Sequence, residues 1–139
     1  MTAIETVEAF LDAYFAQDVA RALSLVTDGF GWLNMALPKA RIEGREMFGL
    51  VMSRPNLGMH LPLKRAHHDT RNWLEGDGLL MHERIDYLEF EPGALAIPCA
   101  AVFRVAAGRV AEWRDYYDIG GYLRFMAAHG IAIDTSAWF

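Results

Sequence analysis

The chain contains one cysteine, Cys99, in 139 residues. An internal disulfide is therefore impossible, and such sparse cysteine use suits a reducing compartment. No apolar run approaches the ~20 residues that a membrane span needs, and the opening "MTAIETVEAF" carries acidic residues where a signal peptide carries basic ones. These absences predict a cytoplasmic protein with no membrane partner. Lys and Arg number 13 against 18 Asp and Glu, a formal charge of −5, and the basic residues are scattered. A phosphate backbone needs a concentrated basic face, so nucleic acid is not an expected partner. There is no G-x-S-x-G nucleophile elbow and no Gly-rich phosphate loop, and no cofactor is expected. "HHD", His67 to Asp69, lacks a third ligand at metal-binding spacing, so no metal is expected either.

What the chain has instead is grease. Hydrophobic residues make up 53% of it, with seven Met and four Trp. That surplus calls for a lined cavity or a subunit interface. The length suits a single domain, residues 1–139, large enough to bury a core unaided. "TAIETVEAFLDAYFAQ" repeats apolar residues at helical spacing behind a Thr2–Glu5 capping box. Asp18 caps a second helix, "VARALSLV", which ends where Asp28-Gly29 breaks the pattern. A strand "FGWLNMA", a third helix "EGREMFGLVMSR" and a loop "PNLGMHLP" follow. Strands near 63–75, 79–90, 96–106 and 109–118 are then separated by "EGDG", "EPGA" and "AAGR", turn-forming links short enough for antiparallel neighbours. "GGYLRFMAAHG" closes the pattern as a helix with Tyr122, Phe125 and Met126 on its apolar side. Helices first and a strand meander second predict an α+β fold, with N-terminal helices covering a curved sheet around a conical cavity.

Two strands carry charge where apolar residues are expected. In "LLMHERIDYLEF", alternation puts Leu80, His82, Arg84, Asp86, Leu88 and Phe90 on one face. In "RVAEWRDYYD", Asp115 shares its face with Ala111, Trp113 and Tyr117. If both faces look into the cavity, Arg84 can donate to Asp86 and Asp115 through its planar fork. Two acids sharing a cation in a dry place titrate as a coupled pair, supplying an acid and a base together at neutral pH. An Arg and an Asp two apart on a strand are more often a rim ion pair. Trp32 and Asn34, on one face of the first strand, read equally well as a core residue and a turn cap near Pro38. His82 reads as a hydrogen-bonded core residue or as a substrate contact, and Cys99 as a small buried residue with no activating partner.

Taken together, "WLNMALP", "ERIDYL" and "WRDYYD" resemble, in order and spacing, the limonene epoxide hydrolase family. That family lies within the SnoaL-like, nuclear-transport-factor-like group of cone-shaped, cystatin-like α+β domains with a mixed sheet. The likeness runs from the first helix to about Asp118. It implies cofactor-independent opening of a small apolar epoxide by water, giving a vicinal diol. Asp115 would be the base that deprotonates water, Asp86 the acid that protonates the ring oxygen, Arg84 the bridge between them and Asn34 a holder of the water. Trp32, His82, Leu80, Leu88, Trp113 and Tyr117 would line the substrate site, and a homodimer is expected. The chain departs from the family at Trp32, where Tyr is usual. A phenol can donate and accept, whereas an indole N–H only donates.

Two other functions fit the residues: isomerisation or dehydration of a hydrophobic ketone or polyketide-like ring, and a non-catalytic ligand-binding or dimerisation module. The tail "IAIDTSAWF", ending in Trp138 and Phe139, is expected to pack over a cavity mouth or a neighbouring subunit.

Overall fold

The computed structural model describes residues 1–138; Phe139, part of the tail expectation, lies outside them. Helices α1 (Ala3–Phe15) and α2 (Val19–Ser24) come first, followed by β1 (Val26–Asn34), β2 (Arg41–Glu43) and α3 (Arg45–Met52). A 3₁₀ turn at Pro55–Gly58 leads into β3 (Leu63–Gly76), β4 (Leu79–Phe90), β5 (Gly93–Ala106) and β6 (Arg109–Tyr117), and α4 (Ile119–Ala128) ends the regular structure. The six strands form one mixed sheet in the order β2-β1-β6-β5-β4-β3. β1 lies parallel to β6, and every other pairing is antiparallel. This is the expected α+β layout.

Local chemistry explains most of the element ends. The Thr2 hydroxyl accepts from Glu5 N while the Glu5 carboxylate accepts from Thr2 N at 2.6 Å, so two otherwise orphaned donors are met at the start of α1. Asp18 caps α2 by accepting from Arg21 N, and Asp118 caps α4 by accepting from Gly120 N.

Two expectations are corrected, and one strand is new. The second helix stops at Ser24, because Val26 already pairs with Val110 of β6 and is fully buried there. Asp28-Gly29 does not separate elements but falls inside β1, where the β1–β6 register shifts between Val26 and Gly31. The short strand β2 had no sequence signal, since three residues cannot show a period; it exists because Arg41–Glu43 completes an edge with Leu33, Trp32 and Gly31.

The core has two parts. The larger gathers Phe10, Phe30, Phe48, Phe103 and Trp113 between α1, α3 and the sheet. The Phe10 ring meets Trp113 edge-on at 5.5 Å and lies 5.7 Å from Phe30, the offset geometry aromatic pairs prefer. The smaller packs Leu88, Phe90 and Ile97 beneath Tyr122 and Met126 of α4. The alternation expected for β4 holds along its length: Leu80, His82, Arg84, Asp86, Leu88 and Phe90 are all buried. In β6 it holds for Trp113 and Asp115 but not for Ala111. A bulge opposite Arg104 and Val105 skips that residue and turns Val110 inward instead.

Candidate active site

Between the two parts of the core lies a cavity of about 280 Å³. Strand pairing assembles its polar wall. Register places Asn34 beside Asp115 and Trp32 beside Trp113 across the parallel β1–β6 pair. β5 then links Asp115, opposite Ala101, to His82, also opposite Ala101, so that Asp115 on β6 and Arg84 on β4 sit on either side of β5.

Arg84 bridges the two acids. Its Nε donates to Asp86 Oδ1 at 2.7 Å, and its Nη2 donates to Asp86 Oδ2 at 3.1 Å and to Asp115 Oδ2 at 2.9 Å. Its guanidinium carbon lies 5.7 Å from the centroid of the Trp113 ring, within cation–π range. Arg84 is only 2% exposed, Asp115 5% and Asp86 9%. This is no rim pair. Burial by itself disfavours the guanidinium charge, but Asp115 and Asp86 overcome that penalty and hold Arg84 charged. Burial also raises the Asp115 carboxyl above the ordinary carboxylate range; Arg84 pulls it back, and Asp86 pushes it up again.

Four buried polar atoms of cavity-lining residues have no partner among the described residues: Asp115 Oδ1, Asn34 Oδ1, Trp32 Nε1 and Trp113 Nε1. The Trp113 N–H favours the Asp115 carboxylate without reaching direct hydrogen-bond geometry. Asn34 Nδ2 donates to the Tyr117 hydroxyl at 2.7 Å, which fixes the amide end to end.

The structure thus brings Arg84, Asp86, Asp115, Asn34, Trp32, Leu88, Trp113 and Tyr117 onto one cavity wall. Leu80 and His82 are corrections. Both point inward, as alternation requires, but the cavity ends at Arg84. Leu80 joins the Phe10 cluster, and His82 is enclosed by Trp73 at 4.6 Å and Phe103 at 5.1 Å. Cys99 is buried, as expected, and its thiol donates to Asp86 Oδ2 at 3.2 Å. Burial and then Asp86 push that thiol upward, away from thiolate. Tyr14 of α1 is a cavity residue that strand patterning could not reveal. His67 stacks on Tyr87 at 4.8 Å, and Asp69 pairs with Arg71 at 3.0 Å. Trp138 of the tail lines the cavity and accepts from Lys39 N at 3.3 Å.

His82 carries a pH consequence. Arg84 Nη1 lies 3.1 Å from His82 Nε2, and because a guanidinium only donates, that nitrogen must accept and the ring must be neutral. Burial, then Arg84, lowers its pKa from 6.5 to about 3. A lowered folded-state pKa means stability that is complete above 6.5 and is lost as pH falls from 6.5 toward 3. The loss approaches ~1.4 kcal/mol per pH unit. Histidine NMR should show His82 silent down to pH 5 while urea midpoints fall; a His82 resonance titrating near 6.5 would contradict its enclosure.

Residues 1–127 match the family model for the limonene-1,2-epoxide hydrolase catalytic domain. The chain belongs to the limonene-1,2-epoxide hydrolase family. Among solved structures, an epoxide hydrolase from M. tuberculosis resembling limonene epoxide hydrolase shares 26% identity, with a TM-score of 0.73 over 92% of this chain and 94% of that one. The fold extends beyond the limonene-1,2-epoxide hydrolase family. A hypothetical protein with a ketosteroid isomerase-like fold from Catenulispora acidiphila DSM 44928 has 18% identity and a TM-score of 0.74, covering 88% of this chain and 92% of that one. A SnoaL-like protein from Shewanella putrefaciens CN-32 has 12% identity and a TM-score of 0.75, covering 90% and 96%. At such identities the last two speak for the fold alone.

Proposed function

We propose that this limonene-1,2-epoxide hydrolase family member hydrates a small apolar epoxide to a vicinal diol without a cofactor. The observation that carries the reading is the buried Arg84 held between Asp86 and Asp115. A strained ether is a poor electrophile until its oxygen gains a proton, and water is a poor nucleophile until it loses one. An acid and a base in contact through one cation provide both.

In the proposed step, Asp115 Oδ1 takes a proton from water, the water oxygen bonds to a ring carbon, the opposite C–O bond breaks, and Asp86 delivers its proton to the departing oxygen. The partnerless Asn34 Oδ1 accepts the second water hydrogen. Burial raises the Asp115 carboxyl, and a water donating to Oδ1 favours the ionised form that the base needs. Cys99 serves Asp86 in either state, since a thiol is both weak donor and weak acceptor. The cavity wall is mostly apolar, from Phe15, Leu37, Val51, Leu57, Leu88 and Ile97, which suits a hydrocarbon-like substrate.

A second reading has an observation of its own. Tyr14 and Tyr117 place phenols on the same wall, and burial raises both; a phenol facing a buried carboxylate can isomerise a ketone. The test is a panel of terpene and cycloalkene oxides beside hydrophobic enones in deuterated water. Diol formation supports hydration. Deuterium entering ketone carbons with no diol from any oxide would replace it with isomerisation.

We also propose a homodimer through the sheet face opposite the cavity. There Ile85 is paired with Pro98, Tyr87 with Ala96, and Ala100 with Tyr116, which is 43% exposed. Light scattering should give twice the chain mass, and Ala100→Glu should give the single-chain mass. A wild-type monomer at micromolar concentration would contradict this. Among the described residues no helix is long and apolar enough to cross a membrane. The cytoplasm, proposed as the location, would keep Cys99 reduced.

A further inference from the structure

Tyr14 has no part in the hydration step above, although it lines the same cavity as Asp115 and Asn34. It is 8% exposed, lines the cavity, and makes no side-chain hydrogen bond to another described residue. Its hydroxyl is not one of the fully enclosed atoms left without a partner, so it opens on the cavity and is free to bond what enters there. Its ring is held on three sides: edge-on to Phe15 at 5.1 Å, to Trp113 at 5.2 Å and to Trp32 at 5.7 Å. Such packing fixes the hydroxyl with the accuracy that orienting a reactant requires. Of the charged groups around it, Asp115 acts on it most strongly, ahead of Asp86 and Arg84.

The other donors near the base are less able to steer a water. Tyr117 keeps its own hydrogen free to donate, but the bond it accepts anchors its oxygen beside Asn34 Nδ2 and not beside Oδ1, which it does not reach. Trp32 lies flat on Trp113, ring centroids 4.7 Å apart and planes 6° from parallel, so its N–H has one direction and cannot turn. A hydroxyl rotates about its C–O bond and follows the water as the proton leaves. Water that gives one hydrogen to Asp115 Oδ1 and the other to Asn34 Oδ1 has two lone pairs left. One must attack carbon. The other can accept a single donor.

We infer that Tyr14 is that donor: a catalytic residue on α1 whose hydroxyl holds the attacking water opposite Asp115, in place of a hydroxyl that position 32 of β1 lacks. The inference rests on the epoxide-hydration reading. It makes α1 part of the active site and not only a cover for the sheet. The phenol keeps its proton throughout, because burial, and next the Asp115 charge, raise its pKa.

Tyr14→Phe removes one oxygen and leaves the ring packing in place. With its thermal midpoint unchanged, the variant is expected to lose more than tenfold in kcat with little change in KM for a cycloalkene oxide. Returning a hydroxyl to β1, as Trp32→Tyr in the Tyr14→Phe background, is expected to restore most of that loss. A crystal structure of the wild-type protein should show a water bonded to both Asp115 Oδ1 and Tyr14 Oη. Unchanged kcat in Tyr14→Phe, a loss accompanied by a lowered midpoint and no rescue, or a water bonded to Trp32 Nε1 instead of Tyr14, would each overturn the assignment. If the wild type opens no epoxide, the hydration reading fails by that result, and the water's partners in the crystal still decide for or against Tyr14.

Discussion

Asp115→Asn is expected to lower kcat/KM for epoxide opening by ~10³-fold or more while leaving the fold intact. The amide is isosteric and can still accept from Arg84 Nη2, so the 2.9 Å contact survives. What it cannot do is take a proton from water, and one well-placed proton transfer is worth roughly 10²–10⁴ in rate. The pH profile offers a second readout. Burial raises the Asp115 carboxyl, and the base must be ionised to act. Activity should therefore fall as pH drops through a midpoint above the ordinary aspartate value of about 4, and that acid limb should vanish in the residual activity of the Asn variant. Steady-state kinetics between pH 4 and 9 checks both. An Asn variant that turns over like wild type would remove Asp115 from the chemistry.

Arg84→Met is expected to be the most destabilising single substitution in the site, costing about 3–5 kcal/mol. Arg84 satisfies one oxygen of Asp115 and both oxygens of Asp86, and it neutralises two carboxylates that water barely reaches. Without it, two buried acids face each other. The folded protein then holds their protons more tightly, so the variant should regain stability as pH falls toward 4, opposite to the trend His82 imposes on wild type. Combining Arg84→Met with Asp86→Asn and Asp115→Asn removes all three charges and should recover most of the loss. Chemical denaturation of the single and triple variants measures this. A triple variant no more stable than Arg84→Met would show that the ion triad is not what the substitution breaks.

The parts of this site that could be read from the chain are those governed by short-range alternation. Arg84 and Asp86 are two apart on one strand, so a period of two puts both on the inner face, and their buried environment follows from the leucines beside them. Asp115 is placed by the same rule relative to Trp113. Beyond that, strand partners decide. Cys99 reaches Asp86 because β5 crosses β4 with Arg84 opposite Cys99, a pairing 15 residues apart in sequence that no local pattern encodes. His82 obeys alternation yet leaves the cavity, since Arg84 fills the space in front of it and Trp73 closes in behind. The Val110 bulge is invisible in "GRVAEW" for the same reason: it is a mismatch between two strands, not a property of one. Tyr14 carried a plain helical signal whose meaning depends on which wall α1 covers.

Isotope tracing reaches the core of the account most directly. In a single turnover in ¹⁸O-water, with enzyme in excess over a cycloalkene oxide, direct attack by water held at Asp115 predicts one ¹⁸O in every diol formed and none in the protein's carboxylates. Unlabelled diol in that first turnover would mean that the oxygen came from an enzyme carboxylate through an ester, and the acid-and-base role given to the Arg84 triad would be wrong.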